Sequence, residues 1–160
     1  MVSVRAVETG DWTRLRDVRL AALREAPHAF GSTYAREAPF TEEQWRGRIS
    51  DRSVTFFAYA ADLAEPAGLA GVHEKDGTAE LVSMWVRPNA RGRGVGQALV
   101  AAAAGWATDH GHDSMYLWVT ESNDAARGLY ERCGFTATGQ RQPLPSNAAL
   151  TEIRMLLAFS

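Results

Sequence analysis

The chain has almost no cysteine: Cys133 is the single one in 160 residues, so no internal disulfide can form. It also lacks any Cys/His spacing that would hold zinc. His28, His73, His110 and His112 form neither a metal nor a nucleophile constellation, and no metal site is expected. The N-terminus carries no apolar signal core, and no run nears the roughly 18 apolar residues of a membrane span. A cytoplasmic protein without a membrane segment is the expectation. A basic surplus is missing too. The net charge of -2 argues against a general nucleic-acid binder, although a local phosphate-binding patch stays possible. There is no internal repeat and no linker, so residues 1–160 are read as one domain, long enough for a sizeable core.

What is present concentrates in one stretch. An apolar segment of strand length, Leu81 to Val86, leads through Arg87-Pro88-Asn89-Ala90-Arg91-Gly92-Arg93-Gly94-Val95-Gly96-Gln97 into an Ala-rich segment with helical spacing, Val95, Leu99, Ala103, Trp106, Ala107 and His110. A strand that turns through glycines into a helix makes an anion site. The first helical N–H groups lack partners, and the helix dipole adds positive potential there. Glycine lets backbone come close to a phosphate, and Arg91 and Arg93 can add charge-assisted bonds or point to solvent. The stretch lacks the Gly-Lys-Ser/Thr ending of a nucleoside-triphosphate loop. Gly92-Arg93-Gly94-Val95-Gly96 is also not the G-x-G-x-x-G of a dinucleotide loop.

Around it the chain reads in order as strand (residues 2–7), helix to about Glu25 with Asp11 or Thr9 as cap, and a loop with aromatics (27–34). A short helix follows the capping box Thr41-Glu42-Glu43-Gln44. Strands are expected at 54–61, 67–73 and 80–86, with Lys75-Asp76-Gly77-Thr78 as a hairpin turn. The long helix covers about 94–110. Beyond it come a strand (115–120), a helix (123–133), a strand to about Arg141, a Pro-rich loop (142–147) and a last strand (150–159). The three central strands joined by short turns should be antiparallel, and the strand-helix-strand crossover should give a parallel pair. The fold class is α/β (α+β): one mixed sheet of about seven strands flanked by four helices.

Arg91-Gly92-Arg93-Gly94-Val95-Gly96 matches Arg-x-x-Gly-x-Gly, which resembles the acetyl-CoA loop of the GNAT acetyltransferase superfamily. Asn123-Asp124-Ala125-Ala126 through Tyr130 to Gly134-Phe135 resembles the second signature of the same family, Asn-x-x-Ala-x-x-x-Tyr-x-x-x-Gly-Phe, at every named position. The motifs stand in the family's order, one helix and one strand apart. Together they cover roughly Thr78 to Thr138; elsewhere only the order of elements agrees.

The resemblance implies an N-acetyltransferase that moves an acetyl group from acetyl-CoA to a primary amine of a small molecule or peptide by direct attack in a ternary complex. Gly92, Gly94, Val95, Gly96 and Gln97, with Arg91 and Arg93, would hold the CoA diphosphate. Met84, Trp85 and Val86 would offer backbone groups to the pantetheine arm, in a gap where this strand splays from the next. A backbone N–H near Met84 or Trp85 would meet the oxyanion. Asn123, with Ala126 on its helix, either caps that helix or meets the pantetheine. Tyr130 is implied as general acid, or else is a core tyrosine. Glu80 is the general base or a solvated strand-end carboxylate, with Glu121 as a rival and a water chain as the option without a dedicated base. Phe30, Tyr34 and Glu37 would face the acceptor, Glu37 suiting a cationic amine, with the 142–147 loop opposite. Trp118 and Trp85 wall the acceptor pocket or fill the core. His73 lines the cleft or is an ordinary sheet histidine, and Cys133 reads as a packed thiol. The competing expectations are a catalytically weak CoA-binding or interaction module, and a nucleic-acid binder using the Arg-Gly run. A homodimer is compatible with the family.

Overall fold

The computed structural model describes residues 1–50 and 52–159. Seven strands form one sheet: β1 (Val2–Ala6), β2 (Ser53–Ala60), β3 (Gly68–Lys75), β4 (Thr78–Val86), β5 (Ser114–Thr120), β6 (Thr136–Leu144) and β7 (Asn147–Ala158). The order across the sheet is β1-β2-β3-β4-β5-β7-β6. Every pairing is antiparallel except β4 with β5, where the crossover helix makes the pair parallel.

The helices are α1 (Trp12–Glu25), α2 (Tyr34–Glu37), α3 (Glu42–Arg46), α4 (Val95–Asp109) and α5 (Asp124–Arg132). Among the described residues that is five, against the four expected. The addition, α2, lies at the end of the predicted aromatic loop. Thr33 caps it by accepting from the Arg36 N–H at 3.1 Å, and four residues are too few to show a helical period. The Thr41 capping box forms as read, with Gln44 closing it at 2.8 Å. Asp11 precedes α1 but its carboxylate does not cap it. The oxygen accepts from the Glu8 N–H and binds Arg5 instead. The hairpin turn has Asp76 and Gly77 at positive φ, as a tight two-residue turn requires.

The predicted Pro-rich loop at 142–147 is mostly strand. β6 runs through Pro143 to Leu144, leaving only Pro145 and Ser146 to turn. Proline is tolerated because β6 is the edge of the sheet and pairs with β7 alone.

Two cores sandwich the sheet. Behind it, α4 and α5 cover Ala70, Val72, Leu81, Leu117, Ile153 and Met155, with Leu99 of α4 fully buried. In front, α1 and α3 enclose Trp45, Phe57, Leu69 and Trp85. Each fully buried leucine or valine contributes about 1.5–3 kcal/mol.

One irregularity prepares the site. Between Leu69↔Trp85 and Gly71↔Val82, β3 advances two residues while β4 advances three. The extra residue is a β-bulge, and Ser83 within it has φ 60°. On its other edge, β4 pairs with β5 only at Ala79↔Met115 and Glu80↔Tyr116. Beyond Glu80 the two strands part, so the β4 edge from Leu81 to Val86 has no strand partner on the β5 side.

Candidate active site

The fork between β4 and β5 opens into a cleft of about 610 Å³. Its walls are the β4 edge, the Gly-rich entrance to α4, and α5. The first bond closing α4 runs from the Ala98 N–H to the Gly94 carbonyl at 3.0 Å, so the amides ahead of it have no partner within the helix. Gly92 and Gly94 stand at φ 77° and 82°, a region that costs other residues about 1–2 kcal/mol. Gly96 is needed for another reason. A Cβ there would lie 2.7 Å from the Leu129 side chain, so its absence lets α5 close against α4.

Most of the predicted cofactor residues meet in this cleft: Met84, Trp85, Val86, Arg91, Gly92, Gly94, Val95, Gly96, Gln97, Asn123 and Ala126 line it. Arg93 does not. Its guanidinium turns to both carboxylate oxygens of Asp62 at 2.7 and 2.9 Å and to the Asn89 carbonyl. Arg91 stays at the cleft, but its Nε donates to the Val86 carbonyl at 3.0 Å and its terminal nitrogen pairs with Glu25. Glu25 also accepts from the Trp85 indole N–H at 3.2 Å. This carboxylate, at the end of α1, was not singled out from the sequence. Only its place in the last turn before Pro27 marks it.

Asn123 caps α5, its Oδ1 accepting from the Ala126 N–H at 3.2 Å, and it also lines the cleft. Tyr130 is 6% exposed and lies edge-on to Phe135 at 5.7 Å. Burial, then the neighbouring Cys133, push its phenol well above the ordinary range, so it holds its proton at neutral pH. Cys133 is partly buried and burial raises its thiol, which makes it a poor nucleophile. Trp118, expected on the acceptor side, lines this same cleft.

Glu80 sits at the root of the fork. Its carboxylate, 12% exposed, meets His73 Nε2 at 2.5 Å. The cross-strand register His73↔Glu80 sets this contact, and His73 does not line the cleft. Tyr116 lies beside Glu80 in the parallel pair. Burial, followed by the Glu80 charge, raises its phenol. Glu152 on β7 is buried as well. Burial raises its carboxyl, the Gln142 side chain at 2.6 Å opposes this, and Glu80 adds to the rise. Neither Tyr116 nor Glu152 stood out in sequence. An alternating strand pattern that puts a carboxylate between apolar neighbours was the available signal.

Glu121 is the weaker rival, because Arg141 holds its carboxylate at 2.9 Å. On the acceptor side the two expected segments do touch. Ser146 donates to the Phe30 carbonyl at 2.5 Å, and Thr120 to the His28 carbonyl at 2.6 Å. Phe30 is buried under the Arg19 guanidinium, and Tyr34, partly exposed, stacks against that of Arg24. Glu37 corrects the expectation of a free carboxylate. It is 1% exposed and holds Arg19 through both oxygens at 3.0 Å and Arg48 at 3.1 Å. A charge this buried needs cationic partners inside the protein and cannot also wait for a ligand.

The family model of the acetyltransferase (GNAT) family matches residues 15–135. The chain belongs to this family. Its curated relatives include a mycothiol acetyltransferase from Mycobacterium avium, 33% identical over 140 residues, which cover 79% of this chain and 43% of that protein. The chain spans less than half the length of the curated relatives it matches. A GNAT-family acetyltransferase from Streptococcus pneumoniae superposes with a TM-score of 0.78 at 20% identity, covering all of both chains. Spermidine N-acetyltransferase from Vibrio cholerae, solved with CoA and spermine, superposes at 0.76 and 22% identity over 98% of this chain and 95% of that one. At these identities the superpositions establish the GNAT fold. Among the described residues no helix is long and apolar enough to cross a membrane.

Proposed function

We propose that this GNAT chain transfers an acetyl group from acetyl-CoA to a primary amine by direct attack in a ternary complex. The observation that carries the reading is convergence: the glycine entrance to α4, the opened β4 edge and Tyr130 all face one cleft. That cleft fits the cosubstrate. Amides and glycines at the start of α4 suit a diphosphate. The edge from Leu81 to Val86 suits the amides of a pantetheine arm, and Trp118, Ala126 and Leu129 suit its carbons. When bound, acetyl-CoA supplies an activated acyl carbon with a thiolate as leaving group.

The chain's residues do the rest. An ammonium must lose a proton before its nitrogen can attack. Glu80 at the root of the fork accepts that proton, directly or through water, and its carboxylate is held by His73 Nε2 at 2.5 Å. A backbone N–H near Met84 or Trp85, beside the bulge, stabilises the oxyanion. Tyr130 donates to the departing sulfur, and its raised pKa keeps the phenol a donor throughout the neutral range. The balance is one C–N bond formed and one C–S bond broken; the nitrogen gives up two protons, one to Glu80 before attack and a second that restores the Tyr130 phenol after its own proton has gone to sulfur. We read the protein as a cytoplasmic enzyme whose domain is this chain and whose acceptor is a small-molecule or peptide amine. The family membership and the names of the relatives support acetyl transfer in general.

A thiol-release assay over an amine panel tests the reading. Release with at least one amine is expected. CoA binding without release from any amine would leave a binding module and overturn the enzyme.

A further inference from the structure

A second cavity, of about 440 Å³, lies on the front face beneath α1 and the end of α3. Val82 and Ser83, at the β4 bulge, line both this cavity and the cleft, so the two adjoin across β4 at the bulge. Among the described residues most of its charged lining is cationic. Arg19, Arg48, Arg52 and Lys75 contribute, with His73 at the sheet end. One carboxylate among the described lining residues, Glu74, lies at the other end of the sheet strand, 3.7 Å from His112 Nε2.

Two of those cations are held in a fixed array. Glu37 binds both oxygens to Arg19, and one oxygen also to Arg48. Arg19 donates in addition to Ser83 Oγ at 3.0 Å, which ties the array to the bulge. Two guanidiniums around one carboxylate leave one positive charge over. That surplus resides at Arg48, which is 34% exposed, stacks on Phe40 and Trp45, and among the described residues has Glu37 as its only ion-pair partner. Burial draws the Arg48 pKa down, as expected for a cation short of counter-charge. Across His73 lie the carboxyl groups of Glu80 and, beyond it, Glu152.

We infer that this cavity receives an anionic group of the acceptor, so that the amine acetylated here belongs to a molecule that also carries a carboxylate or phosphate. The amine end then lies toward Glu80 and the bulge, and the anion toward Arg48. Such a pairing orients a dipolar molecule end to end, because reversing it sets like charges together at both ends. The inference rests on the acetyl-transfer reading for the word acceptor, but the site itself does not.

The test measures equilibrium binding to the CoA-loaded protein for matched pairs: the twenty amino acids with their carboxamides, and O-phosphoethanolamine with ethanolamine. The anionic member of at least one pair should bind about tenfold tighter or better. Which pair does so distinguishes carboxylate from phosphate. Arg48→Gln should bring that ratio near unity, and Arg48→Lys should keep much of it. Arg48→Gln leaves a one-to-one Arg19–Glu37 pair, and thermal unfolding checks that it folds. Equal binding of both members in every pair, or a ratio unmoved by Arg48→Gln in folded protein, would overturn the site. Thiol release with the same pairs separates the two readings. Selective binding without release upholds the anion site and removes the enzyme. Release with equal binding does the reverse.

Discussion

The cleft and the front cavity share the β4 bulge at Val82 and Ser83, yet they are built differently. The cleft is made of backbone: helix amides, glycines at positive φ, and a strand edge left unpaired by the fork. Its arginines are already engaged, Arg91 by Glu25 and Arg93 by Asp62. The cavity is made of side chains from α1, the α3–β2 segment and the sheet, locked by a buried carboxylate. Backbone sites need glycine and spacing, and they serve a ligand whose shape is constant. Side-chain sites need charge placed from distant parts of the chain, and they can change with the acceptor. The expectation is that substitutions in the cavity act on folding and acceptor choice, whereas those in the cleft act on turnover and cofactor affinity.

The largest effect should come from Glu37→Gln. It leaves Arg19 and Arg48 facing each other without a counter-charge, at a cost of about 3–5 kcal/mol in denaturant unfolding. A loss below 1 kcal/mol would show the array to be peripheral. The same residue sets a pH dependence. Burial alone would raise the Glu37 carboxyl, but Arg19, Ser32 and Arg48 together bring it below its ordinary value of 4.5. Its stabilising contribution is therefore full above about 4.5 and is lost as pH falls through the lowered value. Acid unfolding of Glu37→Gln should lack this component.

Tyr130→Phe comes next. It keeps the edge-on packing with Phe135 and removes only the hydroxyl, so turnover should fall about 100-fold. CoA affinity and unfolding midpoint should stay near wild type. Equal losses in turnover and CoA affinity would mean that Tyr130 holds the cofactor and does not serve the sulfur. Gly94→Val should do the opposite. Forcing a β-branched residue to φ 82° costs about 1–2 kcal/mol, seen as weaker CoA binding or a lower unfolding midpoint. The smallest effect belongs to Arg93→Ala, with CoA affinity changed less than about twofold, because its exposed partner Asp62 already holds it. A tenfold loss would mean that Arg93 leaves Asp62 for a phosphate.

The difference between the two regions also explains what could be read in advance. Gly92, Gly94 and Gly96 sit at fixed offsets within one turn, and Asn123 and Tyr130 within one helix, so local spacing carries the cleft. The antiparallel β2, β3 and β4 and the parallel β4–β5 pair followed from turn lengths and the single crossover, whereas the place of β7 between β5 and β6 did not. Other contacts join residues far apart in sequence: on the front, Arg19 with Glu37 and Ser83, and at the cleft wall, Glu25 with Trp85 and Arg91. Only β-register and the seating of α1 create those pairs, and neither has a local signature. Glu37 shows the limit plainly. A carboxylate in a polar stretch, Tyr34-Ala35-Arg36-Glu37, reads as exposed until the fold sets Arg19 against it. Arg93 shows the converse, since its place in the motif is right while Asp62, thirty-one residues earlier, takes its charge.

The most direct measurement is amide hydrogen exchange with and without acetyl-CoA. If the fork holds the cosubstrate, added protection should appear at Gly92–Gln97 and along Leu81–Val86, with none on the edge strand β6. Protection confined to other segments, or binding that leaves the amides at the start of α4 unchanged, would contradict the account.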